Sequence, residues 1–530
     1  MHHPLTHRDR MLTLAGVLIA MFLGALDQTI VSTALPRIVA DLQGLDRFTW
    51  VATAYLAAST ALVPIYGKLA DTFPRRNIEI VAVSVFLLGS ALCGLAGEFG
   101  PLPLLGDGMS QLIFFRVVQG FGGAGLFALA FIIIADLFPP AERGRYQGYV
   151  GAVFGISSVL GPFLGGLLTD LGDNLLPGVA GWRLVFYVNL PLGAVALWFI
   201  LKNMPKLRPT GASTRLDVLA ALLLIGGVGA LIVALQLNKA IYPWASAPTL
   251  GLLGTAAALL ALFVLRSVRS EHPILDFNLF DNKVFRSANA ALFLLGGTFL
   301  SIIIFEPLFM VNVLGTSATR AGMSLIPLSL GVVTGSNVAG QMVSRRGGHY
   351  KRWMLAGGAL LLVGLGLMTT LSAATTYWQV LLYVFVCGVG VGPSMPLYTL
   401  AVQNATEPRL IGQATSASQF FRQIGGVVAA ALLGTVLTLQ LATALPAPAA
   451  TASSPAAAHS AIGEGPALPA ATTTAGGQAT PAVRLAFTEA IGTIYLITMG
   501  LVVLGLGATL LIPELPLRKT NAAAPPVLAE

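Results

Sequence analysis

Four side chains in this sequence place charge or hydrogen-bonding capacity inside otherwise apolar runs. They are Asp27, Arg116 with Gln119 one helical turn later, and Glu306. An ionisable residue at membrane depth costs roughly 2.5–3.5 kcal/mol on insertion scales, so it is a functional-site candidate by default. A carboxylate there can bind a proton or a cation, and a permanently charged guanidinium can release the proton of a neighbouring acid when helices move. The pattern predicts proton or cation coupling.

Each of these residues also has a structural explanation. We expect Asp27 to lack a fixed partner, although it could be a structural acid paired to a base, and Arg116 could simply snorkel to the membrane surface. Pro307 after Glu306 suggests a locally broken helix that lines a cavity. Arg422, in F-F-R-Q-I-G-G, could counter Glu306 or only anchor its helix.

Composition decides which elements must position these residues. The chain has 530 residues, of which 55% are hydrophobic and 10% charged, and its mean hydropathy is +0.81. That is too apolar for a soluble globule, and an apolar run of about 20 residues can cross a bilayer as a helix. We predict an all-α integral membrane protein with fourteen transmembrane helices. The spans are 12–35, 48–70, 78–97, 110–135, 146–169, 182–201, 216–237, 248–267, 286–313, 321–343, 353–371, 377–401, 412–440 and 485–512.

The net charge of +8 follows membrane topology rather than indicating a nucleic-acid partner. With a cytoplasmic N-terminus, most of the 30 Lys and Arg residues fall in cytoplasmic loops and tails. We therefore predict a multi-pass protein of the cell (inner or plasma) membrane, in contact with lipid, with both termini cytoplasmic. The first apolar run is too long for a signal-peptide core, so we expect it to be retained.

The cysteine and histidine residues do not form the patterns that a cofactor site or an enzyme active site requires. Cys93 and Cys387 are isolated in apolar runs, and the six histidines fall in predicted tails or loops. The sequence therefore predicts no metal site, no disulfide framework and no catalytic residues. A phosphate-binding G-x-x-x-x-G-K-S/T loop is also missing from the sequence, so we expect a proton gradient to supply energy.

Faint internal repetition suggests how the helices are organised. The segments Gly67–Arg76 and Gly340–Gly348 each have glycine, a polar residue four positions later and then a basic pair. We predict an N-terminal six-helix bundle at 1–201, a linker with two additional transmembrane helices at 202–285, and a C-terminal six-helix bundle at 286–513. Residues 441–484, rich in Ala, Pro, Thr, Ser and Gly, are expected to form a disordered external loop, and 514–530 a cytoplasmic tail.

Two further groups of residues have a candidate mechanical role. The turn after the second helix could act as a gating latch between helix ends, and the small residues of the fifth helix permit close contact and bending. The latch residues are Gly67, Asp71, Arg75 and Arg76. The helix residues are Gly155, Gly161, Pro162, Gly165 and Gly166.

Five motifs in order resemble the major facilitator superfamily, specifically its fourteen-span drug:proton antiporters. They are L-D-Q-T-I-V-S-T-A-L-P, G-K-L-A-D-T-F-P-R-R-N, R-V-V-Q-G-F-G-G-A-G, G-P-F-L-G-G and W-R-L-V-F-Y-V-N-L-P-L-G. The resemblance implies the major facilitator fold, a working acid at Asp27, proton transfer through Arg116 and an export direction marked by the fifth helix. Pro74, where the family usually has glycine, and Ser344, where the second copy lacks an acid, depart from the pattern.

We therefore predict a proton-coupled exporter of amphipathic or cationic small molecules that functions as a monomer. An exporter of an endogenous metabolite, lipid or siderophore would carry the same residues. A receptor or assembly protein that kept the fold and lost transport is the alternative from another class. The two deep acids and Arg116 argue against that alternative.

Overall fold

The computed structural model describes residues 6–175, 178–206, 216–237, 239, 241–345, 348–444 and 480–520. The greater part of the predicted external loop, residues 445–479, lies outside this range. The same holds for residues 521–530 of the predicted tail and for Arg346 of the second basic pair. At the edges of the predicted loop the chain is helical, since the flanking helices reach Ala444 and begin again at Pro481.

The described residues contain 14 helices long and apolar enough to cross a membrane, which confirms the predicted spans. Helices are the natural solution in lipid because they satisfy every backbone hydrogen bond internally. In chain order, α1 to α14 are His7–Leu42, Phe48–Thr72, Arg75–Gly94, Gly108–Leu137, Pro140–Asp170, Gly181–Asn203, Val218–Gln236, Ala247–Arg269, Lys283–Asn312, Arg320–Arg345, Tyr350–Thr369, Tyr377–Ala405, Pro408–Ala444 and Pro481–Leu510.

Local sequence signals fix several helix ends. Thr6 and Asp9 form a reciprocal capping box at the start of α1, with Asp9 N donating to Thr6 Oγ1 at 3.2 Å and Thr6 N donating to Asp9 Oδ2 at 3.2 Å. Asp107 caps α4 by accepting from Ser110 N at 3.0 Å. These caps supply partners for backbone N–H groups that a helix cannot satisfy itself.

Pro307 does not break its helix, so the prediction of a locally broken helix was wrong. α9 runs without interruption from Lys283 to Asn312 with Pro307 inside it. A proline removes one helical hydrogen bond, but packing by neighbouring helices lets a membrane helix tolerate that loss.

The helices form two six-helix bundles with an extra pair, which is the predicted fold. α1–α6 pack together, as do α9–α14, while α7 packs on α8 and also contacts α2 and α13. Because the number of described spans is even, the start of α1 and the end of α14 lie at the same end of the helical bundles. We call this the terminal side and the opposite one the distal side.

The bundles meet along two helix pairs, α2 with α13 and α5 with α10. Gly144 packs against the backbone of Gly340, and the α2 residue Gly67 packs against Ser416. Near the middle of the membrane, Thr60 Oγ1 donates a hydrogen bond to Gln423 Oε1 at 2.9 Å. These contacts occupy the terminal half of the interface, so this conformation is closed toward the terminal side.

Residues 513–519, here called the tail strap, cross the terminal side of both bundles. The Arg518 guanidinium donates to the carbonyls of Gln403 at 3.1 Å and Thr406 at 3.3 Å, at the end of α12. The backbone N of Ala141, at the start of α5, donates to the Arg518 carbonyl at 3.1 Å. The strap therefore links one bundle to the other.

Candidate functional site

Asp27, Arg116 and Gln119 meet in the core of the N-terminal bundle, although α1 and α4 are far apart in sequence. Arg116 Nη1 lies 2.5 Å from Asp27 Oδ2, and Gln119 Nε2 donates to Asp27 Oδ1 at 2.7 Å. Arg116 also donates to Gln119 Oε1 at 2.7 Å. Asp27 and Gln119 have no exposed surface and Arg116 is 2% exposed. The cluster is a buried ion pair with an amide bridging its two members.

Neighbouring helices complete this cluster. Asn189 of α6 donates to Asp27 Oδ1 at 3.1 Å and to Ser90 Oγ at 3.0 Å. Arg116 stacks 4.3 Å above the centroid of the Tyr55 ring and donates to the Val51 carbonyl at 3.2 Å. Two further helices, α2 and α6, thus contact the ion pair formed by α1 and α4, and Ser90 of α3 holds Asn189 in place.

Two expectations about the ion pair need correction. Asp27 was expected to lack a fixed partner, but it has one in Arg116, because α1 and α4 pack directly against each other. Snorkelling of Arg116 does not occur, since its guanidinium points into the bundle and is buried. Because Asp27 is paired and buried, it is not an open cation site in this conformation.

Glu306 lies apart from this cluster, in the C-terminal bundle. Its carboxylate accepts a hydrogen bond from Ser324 Oγ at 2.9 Å, and it has no exposed surface. Glu306 Oε1 has no hydrogen-bond partner within the described part of the chain. It therefore lines no open cavity, contrary to expectation, and it lies in the other bundle from Asp27.

Arg422 does not counter Glu306. Its Nε and Nη2 atoms donate to Gln419 Oε1, at 3.3 and 2.8 Å. The side chain is half-buried and borders a small cavity of about 20 Å³, which is lined by the C-terminal bundle except for Phe154 of α5. That cavity is lined mostly by apolar side chains, with Arg422 and Ser394 as polar members. Its apolar walls include Phe154, Phe299, Val332 and Met395.

The predicted latch links the two bundles. Asp71 Oδ1 accepts from the backbone N of Gly412 and Oδ2 from that of Gln413, both at 2.8 Å. These amides lie in the first turn of the long helical part of α13, Ile411–Ala444, where free N–H groups and the helix dipole favour an anion. The carboxylate thus holds α2 to α13 on the terminal side.

The two arginines of the latch have different neighbours. Arg75 lies 3.6 Å from Asp71 Oδ1 and pairs with Asp136 of α4 at 2.9 Å. It therefore connects the latch carboxylate to α4 within the N-terminal bundle. Arg76 donates to the carbonyl of Leu201 instead. Pro74 has φ −57°, a value the proline ring favours, which explains why glycine is not required there.

The α5 glycines serve close packing on two different helices. Gly155 contacts Ser329 and Val333 of α10, whereas Gly161 and Gly165 contact Thr29 and Thr33 of α1. Gly166 has open space around it, and Pro162 lies inside an unbroken helix. The sequence motif therefore places α5 between the partner bundle and the ion-pair helix.

Sequence reasoning did not identify Asn189, Ser90 or Tyr55 as members of this cluster. Asn189 stands within a matched motif, W-R-L-V-F-Y-V-N-L-P-L-G, as a lone amide in an apolar span. A polar side chain in that setting was a usable signal. Ser90 gave none, because serine is common in membrane helices and satisfies itself on the backbone.

Two six-helix bundles that carry buried charges between transmembrane helices are the architecture of a membrane transporter. Among the described residues, no group of three His, Cys, Asp or Glu side chains could hold a metal ion. The chain belongs to the Major Facilitator Superfamily, whose family model matches residues 17–430.

Known relatives agree with this assignment. Multidrug resistance protein 3 of Bacillus subtilis (strain 168) is 37% identical over 423 residues, which cover 80% of this chain and 78% of that protein. Multidrug transporter protein MdtP of the same organism is 37% identical over 428 residues, covering 81% and 75%. The solved structure of the proton:xylose symporter XylE has a TM-score of 0.58 at 13% identity, covers 93% of this chain and 95% of its own, and shows the common fold. The protein is therefore a multi-pass transporter of small molecules and not an enzyme.

Proposed function

We propose that this transporter is a proton-coupled antiporter that exports amphipathic or cationic compounds from the cytoplasm across the cell membrane. The observation that carries the proposal is the buried Asp27 and Arg116 ion pair, bridged by Gln119. Multidrug transport in the names of two relatives supports the export of such compounds. The energy source in this proposal is the proton gradient, and the functional unit is a monomer in contact with lipid.

Protonation of Asp27 is the coupling step. A proton on the carboxylate cancels its charge, so the attraction to Arg116 is lost and the guanidinium turns to Gln119 and to the Tyr55 ring. Because Asp27 is in α1, and α1 packs on the distal half of α5, release of the pair loosens the contact that positions α5. Proton binding is thereby converted into helix movement.

The latch sets which side of the membrane has access to the cavity. The distribution of Lys and Arg supports a cytoplasmic terminal side. The present conformation, held by Asp71 on the start of α13, is then closed to the cytoplasm. Breaking those two hydrogen bonds lets the bundles rock apart at that side and admit a compound.

The test uses purified protein in proteoliposomes, with a pH-sensitive dye reporting substrate-induced proton flux. Asp27→Asn keeps the size of the side chain but cannot carry the proton. We expect at least a roughly tenfold loss of flux, because the coupling group is gone. Unchanged flux in Asp27→Asn would remove it from the mechanism, and flux driven by no compound of a broad panel of dyes and drugs would contradict drug export.

Asp107→Asn is the matched control, because Asp107 also pairs with an arginine but lies in the loop before α4. Hydrogen bonds from the Arg47 side chain lower the pKa of Asp107 to about 2. This depressed pKa means that its pairing with Arg47 is complete above about pH 4 and is lost only as the pH falls toward 2. The pH dependence of transport between about pH 5 and pH 8 should therefore be the same with and without Asp107.

A further inference from the structure

A groove of about 660 Å³ opens between α7 and α8, at the start of α7 and the end of α8. Both of these helix ends lie on the terminal side. The pair stands outside the two bundles, and only 17% of the most apolar stretch of α8 is buried, the lowest share among the described spans. The groove therefore belongs to the surface that faces lipid.

The lining of the groove changes from apolar to basic along the helices. Leu223 of α7 and Leu262 and Leu265 of α8 line its deeper part, and the two α8 leucines are 51% and 55% exposed. Arg269 is the last residue of α8, about 10 Å beyond Leu262 along a helix that rises 1.5 Å per residue. A phospholipid has the same order, with a polar headgroup above its acyl chains.

The two arginines of the groove differ in their partners. Arg266 Nε donates to Asp217 Oδ1 at 2.9 Å, and Asp217 also caps α7 by accepting from Ala220 N at 3.0 Å. Within the described part of the chain, no carboxylate oxygen lies within 4.0 Å of the Arg269 guanidinium. Two positive charges and one negative charge leave the polar end of the groove with a net charge of +1.

Ser270 supplies a neutral donor at the same end of the groove. Its Oγ accepts a hydrogen bond from the backbone N of His272 at 3.2 Å, and among the described hydrogen bonds its O–H donates to none. A phosphate at this end would accept from the Arg269 guanidinium and from the hydroxyl. Basic pockets between transmembrane helices bind the headgroups of anionic lipids in this way.

We propose that the groove between α7 and α8 is a binding site for an anionic phospholipid. The phosphate lies against Arg269 and Ser270, and an acyl chain lies along Leu262 and Leu265. A zwitterionic lipid binds less tightly, because the positive group of its headgroup meets the net positive charge of the groove. The site is separate from the Asp27 ion pair and assigns the extra helix pair a role in lipid recognition.

The test places a bimane fluorophore on Leu222→Cys, an exposed position of α7 beside Leu223 of the groove wall. Both native cysteines are buried, so the label reports this position. Full-length protein is reconstituted in mixed vesicles of phosphatidylglycerol and phosphatidylcholine, and brominated chains on one lipid or the other quench the fluorophore on contact. We expect phosphatidylglycerol to bind here about fivefold more tightly, the factor that one basic residue contributes at a membrane surface.

Variants of Arg269 test the headgroup contact, and the residue is exposed, so its replacement leaves packing intact. Arg269→Gln should abolish the preference for phosphatidylglycerol, and Arg269→Lys should keep it. Arg352→Gln is the matched control, because Arg352 is an exposed arginine near the start of α11, on the same side but outside the groove. Its preference should equal that of the unaltered reporter protein.

Three outcomes would overturn the proposal. They are equal quenching by the two lipids in the reporter protein, a preference that persists in Arg269→Gln, and an equal loss of preference in Arg269→Gln and Arg352→Gln. The measurement needs no proton gradient and no exported compound, so its result is independent of the proposed antiport.

Discussion

The carboxylate of Asp27 is shared among three donors, from Arg116, Gln119 and Asn189. The three donors come from two other helices, α4 and α6, and each adds a hydrogen bond to a carboxylate that is buried away from water. Loss of one donor should therefore weaken the contact between its helix and α1.

Asn189→Ala tests this at the level of one hydrogen bond. Loss of the 3.1 Å donor removes a hydrogen bond between α6 and α1, and a single hydrogen bond contributes about 1 kcal/mol to stability. We expect a lower melting temperature of the purified protein and slower transport. The measurements are thermal unfolding and substrate-induced proton flux in proteoliposomes.

Asn203→Ala on the same helix serves as its control, because the Asn203 amide donates to the backbone carbonyl of Phe199 within α6. Its transport rate should match the wild type. Equal transport rates for Asn189→Ala and the wild type would show that the bond to Asp27 is not needed.

At the scale of elements, the two halves of α5 contact different helices. Its terminal half meets α10 of the other bundle through Gly144 and Gly155, and its distal half meets α1 through Gly161 and Gly165. Thr29 Oγ1 also donates to the Ser157 carbonyl at 3.0 Å, which ties α1 to α5 two residues from Asp27. α5 is thus the element through which the ion pair and the bundle interface are connected.

Gly161→Ala should separate α1 from α5. A Cβ at Gly161 would clash with the Thr29 side chain, and overpacking of this kind costs about 1–3 kcal/mol. We expect a lower melting temperature of the purified protein and slower transport. Gly166→Ala is the matched control, since a Cβ there meets open space, and equal melting temperatures for the two variants would contradict the packing role.

Asp71→Asn should weaken the latch between α2 and α13. The neutral amide keeps one acceptor oxygen but loses the charge that the start of α13 favours. The reporter is a Ser416→Cys substitution, at a buried position of α13 that contacts Gly67, and the measurement is its rate of maleimide labelling. We expect faster labelling in Asp71→Asn.

Glu407→Gln provides the comparison for the latch. Glu407 precedes the long helical part of α13 and pairs with Arg409 on the exposed surface, so its charge does not join the bundles. Labelling in that background should match the reporter alone. Slow labelling in both variants would show that the closed state does not depend on the charge of Asp71.

For the whole molecule, closure of the terminal side is distributed over several regions. The latch, the α5 and α10 contact and the tail strap each join the two bundles. In the proposed cycle, opening must break all of them together, so the strap adds to the stability of the closed state.

Arg518→Ala removes the donor to the carbonyls of Gln403 and Thr406, and should shift the bundles toward opening. Each lost bond to a charged donor contributes about 1.5–3 kcal/mol, enough to change a two-state population severalfold. Spin labels at Arg145 and Arg345, on exposed parts of α5 and α10, would report the change as a longer distance population.

Lys519→Ala removes an exposed positive charge from the next residue and should leave the distance distribution unchanged. If both variants broaden the distribution equally, general loss of tail charge rather than the Arg518 bridge would account for the effect.

The sequence by itself determined the class of fold, because length and apolarity of a run decide whether it spans a bilayer. It also identified Asp27, Arg116 and Gln119, since polar side chains at membrane depth stand out against lipid-compatible neighbours. The latch residue Asp71 was identified from a different signal, a charged turn at the end of a helix. Its actual partners, the backbone amides of Gly412 and Gln413, carry no side-chain signal that a sequence could show.

Only the tertiary structure decided which charges meet. Helix packing joined Asp27 to Arg116 and kept Glu306 away from both, because α1 packs against α4 within one bundle while α9 belongs to the other. It left Arg422 facing a cavity without a carboxylate, although the sequence suggested Glu306 as its partner. Pairing depends on the relative rotation and depth of helices, which packing sets and local sequence does not.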